Sequence, residues 1–460
     1  MFKKNAWLNY DAEELKKLES FALDYRHFID AGKTERECVT EGVRLAKEAG
    51  FCDLDQLIAA DTPLKAGDRV YVNWMNKCLM AFVIGSEPIQ NGMNILGAHI
   101  DSPRIDIKQN PLYEDTDLCY LDTHYYGGIK KYQWAAVPLA IHGIVVRKDG
   151  SKVTIAIGEK DDDPIVYISD LLIHLSHELM EKPAANVMEG EALNVIIGSK
   201  PLPDTEKEPV KAAMLKLLKE KYGIEEEDFI SAELEIVPAG RSRELGLDRS
   251  LIASYGHDDR VCSYPSLAAV LNYEGVPSAT LCALLTDKEE IGSVGATGMN
   301  ANYFENTVAE IVRLCDHESE LLLRRCLKNS RMLSSDVSAG YDPNFAQAFE
   351  KKNAALLGHG VCFNKYTGSR GKSGSNDANA EYMAKLRKIM DDNGVDFQTS
   401  ELGKVDYGGG GTIAYICAKY GMNVIDCGIA VLSMHAPCEV ISKADLWEEY
   451  KCYCAFLKNA

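Results

Sequence analysis

Two adjacent carboxylates, Glu289 and Glu290, stand just beyond an apolar segment that spans residues 280–286. Neighbouring residues on an extended backbone point to opposite sides, so these carboxylates either are both solvated or have different roles. An isolated pair of glutamates is in most cases exposed. A chemical role for this pair therefore depends on which other side chains the fold brings near it.

Side chains that bind metal ions recur in this sequence at one kind of position, the end of an apolar segment. They are His99 and Asp101 after residues 93–98, Asp336 after 331–335, His435 after 430–434, and Asp258 just before an apolar helix. In α/β sheets functional groups gather beyond the carboxyl ends of the strands, so we expect these residues to converge. Two imidazoles and several carboxylates suit two divalent metal ions about 3.5–4 Å apart that share a carboxylate.

The elements that must position these side chains alternate between helix and apolar strand before residue 103 and again from residue 247 onward. This alternation predicts an α/β domain in which helices cover both faces of a mostly parallel sheet, giving three layers in the order α/β/α. One of its helices is predicted to run without a break from Asn302 to Asn329.

Residues 104–246 have a different character. Short alternating strands cluster there with little helix between them, which predicts a β-rich domain inserted into the first. The predicted division is therefore 1–103 and 247–460 for the α/β domain and 104–246 for the insert.

The composition excludes several classes of function. The chain has 460 residues, 50 of them basic and 69 acidic, and its net charge of −19 argues against a nucleic-acid partner. No apolar run approaches the roughly 20 residues of a membrane helix, and no secretory signal follows the early lysines. We therefore expect a cytoplasmic protein with no membrane partner. The 14 cysteines occur mostly singly and without a CxxC pair, which indicates reduced thiols and not a cysteine zinc site.

Five segments carry a specific family resemblance. In chain order they are GAHIDSPR, GHDDRV, DKEEIGS, SSDVS and SMHAPCE. They resemble the signature segments of the dinuclear zinc aminopeptidases of the aspartyl aminopeptidase and vacuolar aminopeptidase I family. The similarity extends from Asp68 to His435, and chance agreement of five motifs in one order is improbable.

The resemblance implies a role for each candidate side chain. Five residues would hold two Zn²⁺ ions per subunit: Asp258 as the bridge, His99 and Asp336 at one site, and Glu290 and His435 at the other. Glu289 would be the general base, and Asp101 would orient the ring of His99. Co²⁺ or Mn²⁺ could substitute for zinc, since His/carboxylate sites accept several metals.

The resemblance also implies partners and a substrate class. The insert would be a dimerisation domain, and dimers would assemble into a tetrahedral dodecamer. His174 matches a family histidine that reaches the active site of the partner subunit. Lys365 lies where members with acidic specificity carry a lysine that faces the first side chain of the substrate. The segment after Lys365 is longer than in a typical aspartyl aminopeptidase, so acidic (Asp/Glu) and neutral first residues are both open.

The predicted function is hydrolysis of the N-terminal residue of peptides. A related zinc deacylase or carboxypeptidase is one alternative, because it could share the two-metal core. A metal-binding scaffold without catalysis is another. The long inserted domain and the segment LLIHLSHEL favour the aminopeptidase, and the presence of every expected ligand together with Glu289 gives no sign of lost catalysis.

Overall fold

The computed structural model describes residues 4–460, which form two compact units. Unit 1 is Met1–Asp101, Arg243–Met434 and Glu439–Ala460, and unit 2 is Ser102–Ser242 and His435–Cys438.

The chain contains strands and helices with the following bounds. The strands are β1 Cys52–Asp53, β2 Arg69–Trp74, β3 Cys78–Val83, β4 Met93–His99, β5 Arg104–Asp115, β6 Leu118–Tyr126, β7 Leu139–Val146, β8 Lys152–Ile157, β9 Val195–Gly198, β10 Ala232–Pro238, β11 Arg243–Leu245, β12 Leu251–Ser254, β13 Thr280–Thr286, β14 Arg331–Ser335, β15 Ser338–Ala339, β16 Val361–Asn364, β17 Phe397–Thr399, β18 Asn423–Gly428, β19 Ala430–Val431 and β20 Glu439–Ser442. The helices are α1 Ala12–Ala31, α2 Glu35–Glu48, α3 Leu54–Ala59, α4 His177–Met180, α5 Pro209–Tyr222, α6 His257–Leu271, α7 Tyr303–Cys315, α8 Glu320–Asn329, α9 Ser369–Lys372, α10 Ala380–Asp392, α11 Ala414–Ala418 and α12 Lys443–Asn459.

Unit 1 is built on a nine-stranded sheet with the order β1-β2-β3-β13-β4-β14-β18-β16-β17. The central pairs, β13 with β4, β4 with β14 and β14 with β18, are all parallel. Antiparallel pairs occur toward the edges, where β3 meets β13 and β16 meets β18. The predicted mostly parallel sheet is therefore confirmed, and its central strands end at a common edge.

Helices cover both faces of this sheet, because its strands are apolar on both sides. Along the fully buried strand β3, Leu79 and Val83 join one apolar core, whereas Met80 and Phe82 join the other. Helices α1, α2, α6, α10 and α12 contribute to the first core, and α3, α7, α8 and α11 contribute to the second. The predicted three-layer architecture is confirmed.

Unit 2 contains a six-stranded sheet with the order β8-β7-β10-β5-β6-β9, in which every pair is antiparallel. Its main helix, α5, begins with Pro209 and ends before Gly223, whose positive φ of 64° suits glycine at a helix end. The predicted β-rich character of the insert is confirmed. The bounds 104–246 stay a prediction; in the structure, residues 435–438 group with unit 2.

The prediction of one unbroken helix from Asn302 to Asn329 is wrong. The structure has two helices, α7 and α8, separated by residues 316–319. Asp316 leaves the helical region with φ −141° and ψ −91°, and the side chain of Ser319 accepts a hydrogen bond from the backbone N–H of Leu322. A serine at this position caps the start of a new helix. The chain therefore interrupts the helix between α7 and α8 even though the apolar periodicity continues from one to the other.

Two further predictions from the sequence concern membrane-spanning helices and the state of the cysteines. Within residues 4–460, none of the helices combines the length and the apolar character needed to cross a bilayer. Across the described part of the chain, none of the fourteen cysteines forms a disulfide bond, and most of them are buried. Their burial agrees with the expectation of reduced structural thiols.

Candidate metal centre

The parallel strands of unit 1 bring the predicted ligands to one edge of the sheet. His99 is the last residue of β4 and pairs with Thr286, the last residue of β13. The turn that carries Glu289 and Glu290 follows three residues after β13, and Asp336 directly follows β14. Because β4 lies between β13 and β14, these side chains converge even though they are far apart in sequence.

The imidazole of His99 lies at the middle of this convergence. Its Nε2 atom is 3.3 Å from Oδ1 of Asp258, 4.0 Å from Oε2 of Glu289 and 4.0 Å from Oδ1 of Asp336. Three sets of ligand atoms lie within 4.8 Å of one another: His99–Glu289–Asp336, His99–Asp258–Glu290 and Asp258–Asp259–Asp336. Asp258 takes part in two of the three sets.

This donor set fits a divalent metal ion. Two ligand atoms that each lie about 2.1 Å from zinc at a tetrahedral angle are about 3.4 Å apart, close to the separation of His99 Nε2 and Asp258 Oδ1. The donors are one imidazole nitrogen and carboxylate oxygens, the types that zinc and manganese accept. Oδ1 of the fully buried Asp259 has no hydrogen-bond partner in residues 4–460, so a cation would satisfy it.

The pKa values of the site indicate a shortage of positive charge. Burial by itself would lower the pKa of His99, but hydrogen bonds to Asp101 and Asp258 outweigh it and raise this pKa well above its usual value. Burial raises the pKa of Asp336 far above its usual value, and the nearby Asp259 and Glu289 raise it further. Bound cations would relieve this repulsion, because opposite charge favours the ionised carboxylate.

The side chain of Asp101 contacts three other parts of the site. Its two carboxylate oxygens accept hydrogen bonds from the backbone N–H groups of Glu289, at 3.1 Å, and Glu290, at 3.2 Å. Oδ1 also lies 3.3 Å from Nδ1 of His99, and the backbone carbonyl of Asp101 is 3.0 Å from the same nitrogen. Asp101 therefore holds the glutamate turn as well as the histidine ring, and only the second role was expected from the sequence.

The first turn of α6 is fixed against the end of β4. Asp258 and Asp259 are joined by a cis peptide bond, and the backbone N–H of Asp258 donates to Oε2 of the buried Glu439 at 3.0 Å. The backbone N–H of His99 donates to Oδ2 of Asp259 at 3.2 Å, and the hydroxyl of Ser263 donates to the carbonyl of His99 at 2.6 Å. These contacts position Asp258 beside Nε2 of His99.

Sequence reasoning missed two carboxylates of this centre. Asp259 belongs to one of the three ligand sets, and Glu439 holds the backbone of Asp258. Both lie inside segments that were singled out, GHDDRV and SMHAPCE. Nothing in the local pattern distinguishes the predicted ligand Asp258 from its neighbour, and the contact of Glu439 spans 181 residues.

His435 lies on the segment 435–438, which groups with unit 2. Its Nδ1 atom is 2.8 Å from the carbonyl oxygen of Gly128. If Nδ1 carries the proton and donates to this carbonyl, Nε2 carries the lone pair that a metal requires. Among the described residues, the three ligand sets do not include His435.

The two predicted substrate residues lie outside these ligand sets. His174 is exposed in the short turn Ile173–Leu175 of unit 2. Lys365 directly follows β16 in unit 1, and its Nζ atom is 3.7 Å from Oδ1 of Asp377. Its amine is half-exposed.

The chain is similar to known proteins along nearly its whole length. Residues 28–457 match the family model described as "Aminopeptidase I zinc metalloprotease (M18)". A relative from Clostridium acetobutylicum, "Probable M18 family aminopeptidase 1", is 57% identical over 457 residues, which cover 99% of this chain and 98% of the relative.

Solved structures share its fold. The crystal structure of an M18-family aminopeptidase from Thermotoga maritima superimposes with a TM-score of 0.94 at 43% identity and covers 100% of both chains. A structure described as the S. cerevisiae mApe1 dodecamer gives a TM-score of 0.77 at 19% identity, with 95% of this chain and 96% of that chain covered. At that identity the second likeness concerns the fold alone.

Proposed function

The chain belongs to the M18 family of zinc metalloproteases and is an aminopeptidase, a hydrolase of peptide bonds, and we propose that each subunit works with two metal ions. One observation supports this proposal most strongly. The carboxylate of Asp258 takes part in two ligand sets, one with His99 and Glu290 and one with Asp259 and Asp336. A carboxylate shared in this way can bridge two ions.

The proposed ligands are those that the family resemblance implies, and they are divided between the two ions differently from the three ligand sets, one of which joins His99 to Glu290. Asp258 would bridge the two zinc ions, with His99 and Asp336 as the remaining ligands of one ion and Glu290 and His435 as those of the other. The short separation of His99 Nε2 and Asp258 Oδ1 supports the first site. The contact of His435 Nδ1 with Gly128 supports the second, since it favours the tautomer with a lone pair on Nε2. Co²⁺ or Mn²⁺ could occupy the same ligands.

Glu289 is the proposed general base. When bound, the two zinc ions polarise the scissile carbonyl and lower the pKa of a bound water toward about 7. The Glu289 carboxylate would accept a proton from the attacking water and deliver it to the leaving amine, a contribution of about 10²–10⁴ in rate. Its side chain is 15% exposed, which leaves it accessible to substrate. Because Glu289 also belongs to a ligand set with His99 and Asp336, its role needs a test that separates proton transfer from metal binding.

The substrates are peptides with an acidic or a neutral first residue. Lys365 is the proposed contact for an acidic side chain, and its half-exposed amine is accessible for that role.

We also propose that the subunits form dimers through the inserted domain, 104–246, and that these dimers build a tetrahedral dodecamer. The turn around His174 supports this proposal, because it exposes a group of large apolar side chains: Leu171, Leu172, Ile173, Leu175 and Met180. A contiguous exposed apolar surface is typical of a protein interface. In the assembly His174 would enter the active site of the partner subunit. The cytoplasmic location stays a prediction from the sequence.

A panel of aminoacyl nitroanilides with Asp, Glu, Leu and Lys as first residue tests the activity. We expect cleavage that a chelator abolishes and that added zinc, cobalt or manganese restores. Metal analysis should give two ions per subunit, and His99→Ala should lower that number. His317→Ala is a matched control, because it removes an exposed histidine that pairs with the carboxylate of Asp316. Cleavage that resists chelation, or full activity with one ion per subunit, would contradict the proposal.

Mixed assemblies test the role of His174. A His174→Ala subunit keeps its own base, and a Glu289→Gln subunit keeps its own His174. If His174 acts on the partner, assemblies that contain both variants should regain activity that neither variant has alone. If mixed assemblies form and stay inactive, His174 does not act across the interface.

A further inference from the structure

Asp377 lies between two lysine side chains on the chain segment that follows β16. Its Oδ1 atom is 3.7 Å from Nζ of Lys365, and its Oδ2 atom accepts a hydrogen bond from Nζ of Lys372 at 3.1 Å. The backbone N–H of Ala378 donates to the carbonyl of Lys365 at 2.9 Å. This hydrogen bond closes the loop and keeps Asp377 beside Lys365.

The contacts continue beyond Asp377. Nζ of Lys372 lies 3.7 Å from the ring centroid of Tyr366, and the hydroxyl of Tyr366 donates to Oε1 of Glu401 at 2.6 Å. Positive and negative groups therefore alternate along the series Lys365, Asp377, Lys372 and Glu401. Asp377 contacts both lysines, whereas Glu401 is linked to Lys372 only through Tyr366.

We infer that Asp377 screens Lys365 and shifts the first-residue preference of the enzyme from acidic toward neutral side chains. The inference rests on the proposed function, in which Lys365 meets the first side chain of the substrate. An aspartate or glutamate of the substrate would have to compete with the Asp377 carboxylate for the same amine. A leucine side chain does not depend on that amine, so its hydrolysis is less affected.

The expected shift in first-residue preference is modest, because the two side chains are partly exposed to water. Lys365 and Asp377 are both about half-exposed, and ion pairs in such positions are weakened by water and salt. Removing the negative charge of Asp377 should therefore raise the ratio of kcat/KM for Asp over Leu by roughly two- to fivefold at low salt. The increase should shrink as salt is added, because salt screens exposed charges.

The test compares four single variants and one double variant on Asp- and Leu-nitroanilide with the metal-loaded full chain. Asp377→Asn should raise the Asp/Leu ratio. Asp392→Asn is the matched control, because it removes one carboxylate from another exposed pair, that with Lys388 on α10. Lys372→Gln should lower the ratio, since Asp377 then pairs with Lys365 alone. Lys365→Ala should lower the ratio as well and should cancel the effect of Asp377→Asn in the double variant.

The outcomes separate this inference from the proposed function. If the wild type cleaves both substrates and Asp377→Asn changes the ratio no more than Asp392→Asn does, the enzyme assignment stands and the screening role is refuted. If Asp377→Asn raises the ratio even in the absence of Lys365, the effect does not pass through Lys365 and the inference is also refuted. Failure of the wild type to cleave any substrate with zinc, cobalt or manganese would instead overturn the proposed function.

Discussion

Replacing Asp101 with asparagine should reduce turnover even when the metal sites are saturated. The Asp101 carboxylate is fully buried, and its two oxygens accept the backbone N–H groups of Glu289 and Glu290. Asparagine has nearly the same shape but only one acceptor oxygen. In one orientation its NH₂ group faces one of the two backbone N–H groups, so two donors oppose each other. In the other it turns toward Nδ1 of His99, which is also a donor when it carries a proton.

The expected losses of turnover and zinc affinity follow from these contacts. A hydrogen bond to a charged group contributes about 1.5–3 kcal/mol. The substitution removes at least one such bond and makes the other neutral, so we expect a loss of about 2–4 kcal/mol from the positioning of the turn that carries Glu289. Because small displacements of a catalytic group are costly, kcat at saturating zinc should fall about 10²-fold. Zinc affinity should fall by about 10-fold, because the ring of His99 loses the Oδ1 contact but keeps the backbone carbonyl of Asp101, 3.0 Å from Nδ1, as an acceptor.

The assay is nitroanilide hydrolysis over a range of free zinc, with metal content measured on the same samples. Asp11→Asn is a matched control, because the Asp11 carboxylate also accepts two backbone N–H groups, those of Glu13 and Glu14 at 2.9 Å, at the exposed start of α1. It should leave kcat unchanged. A kcat for Asp101→Asn within about threefold of the wild type at saturating zinc would refute the reasoning, because the glutamate turn would not depend on this carboxylate.

Three further outcomes follow from the same geometry. Glu289→Gln should keep two metal ions and lose nearly all turnover, whereas Glu290→Ala should lose metal; near-wild-type activity of Glu289→Gln would refute its role as base. In the presence of a chelator the Tm should fall as the pH rises from 5 to 8. The raised pKa values of His99 and Asp336 mean that the folded protein holds protons more tightly than the unfolded chain, and this stabilisation is lost as the groups deprotonate. Saturating zinc should reduce this slope, and a Tm that rises with pH in chelator would contradict the argument. Glu439→Gln should lower zinc affinity by about tenfold without changing KM strongly, because its carboxylate holds the backbone of a proposed ligand and does not reach substrate; unchanged metal affinity would show that the contact is dispensable.

Much of the fold and of the metal centre could be predicted because both depend on local patterns. The apolar segments before His99 and Asp336 are strands β4 and β14, and β13 lies on the other side of β4. Ligands at the ends of parallel neighbours must meet at one edge, so recognising the strands was sufficient to predict that the ligands converge. The capping box of Thr34 and Glu37, with reciprocal hydrogen bonds at the start of α2, is another pattern of this local kind.

Other features depend on which elements become neighbours, and no local pattern encodes that choice. The contact of Asp101 with the glutamate turn requires the particular register of β4 against β13, and the two ends are 188 residues apart. The break between α7 and α8 was missed for a different reason. Both helices carry the same apolar periodicity, so only the capping role of Ser319 marks the boundary.

The carboxylates at this centre are held by backbone N–H groups. Asp101 accepts from Glu289 and Glu290, the carboxylate of Asp259 accepts from His99, and that of Glu439 accepts from Asp258. A backbone N–H positions a carboxylate as a dipole and adds no net charge, whereas a lysine or arginine would neutralise it. These hydrogen bonds add no charge of their own at the place where Asp258 is shared between two ligand sets. Carboxylates oriented in this way suit a centre that takes up divalent cations, which agrees with the use of zinc by this family.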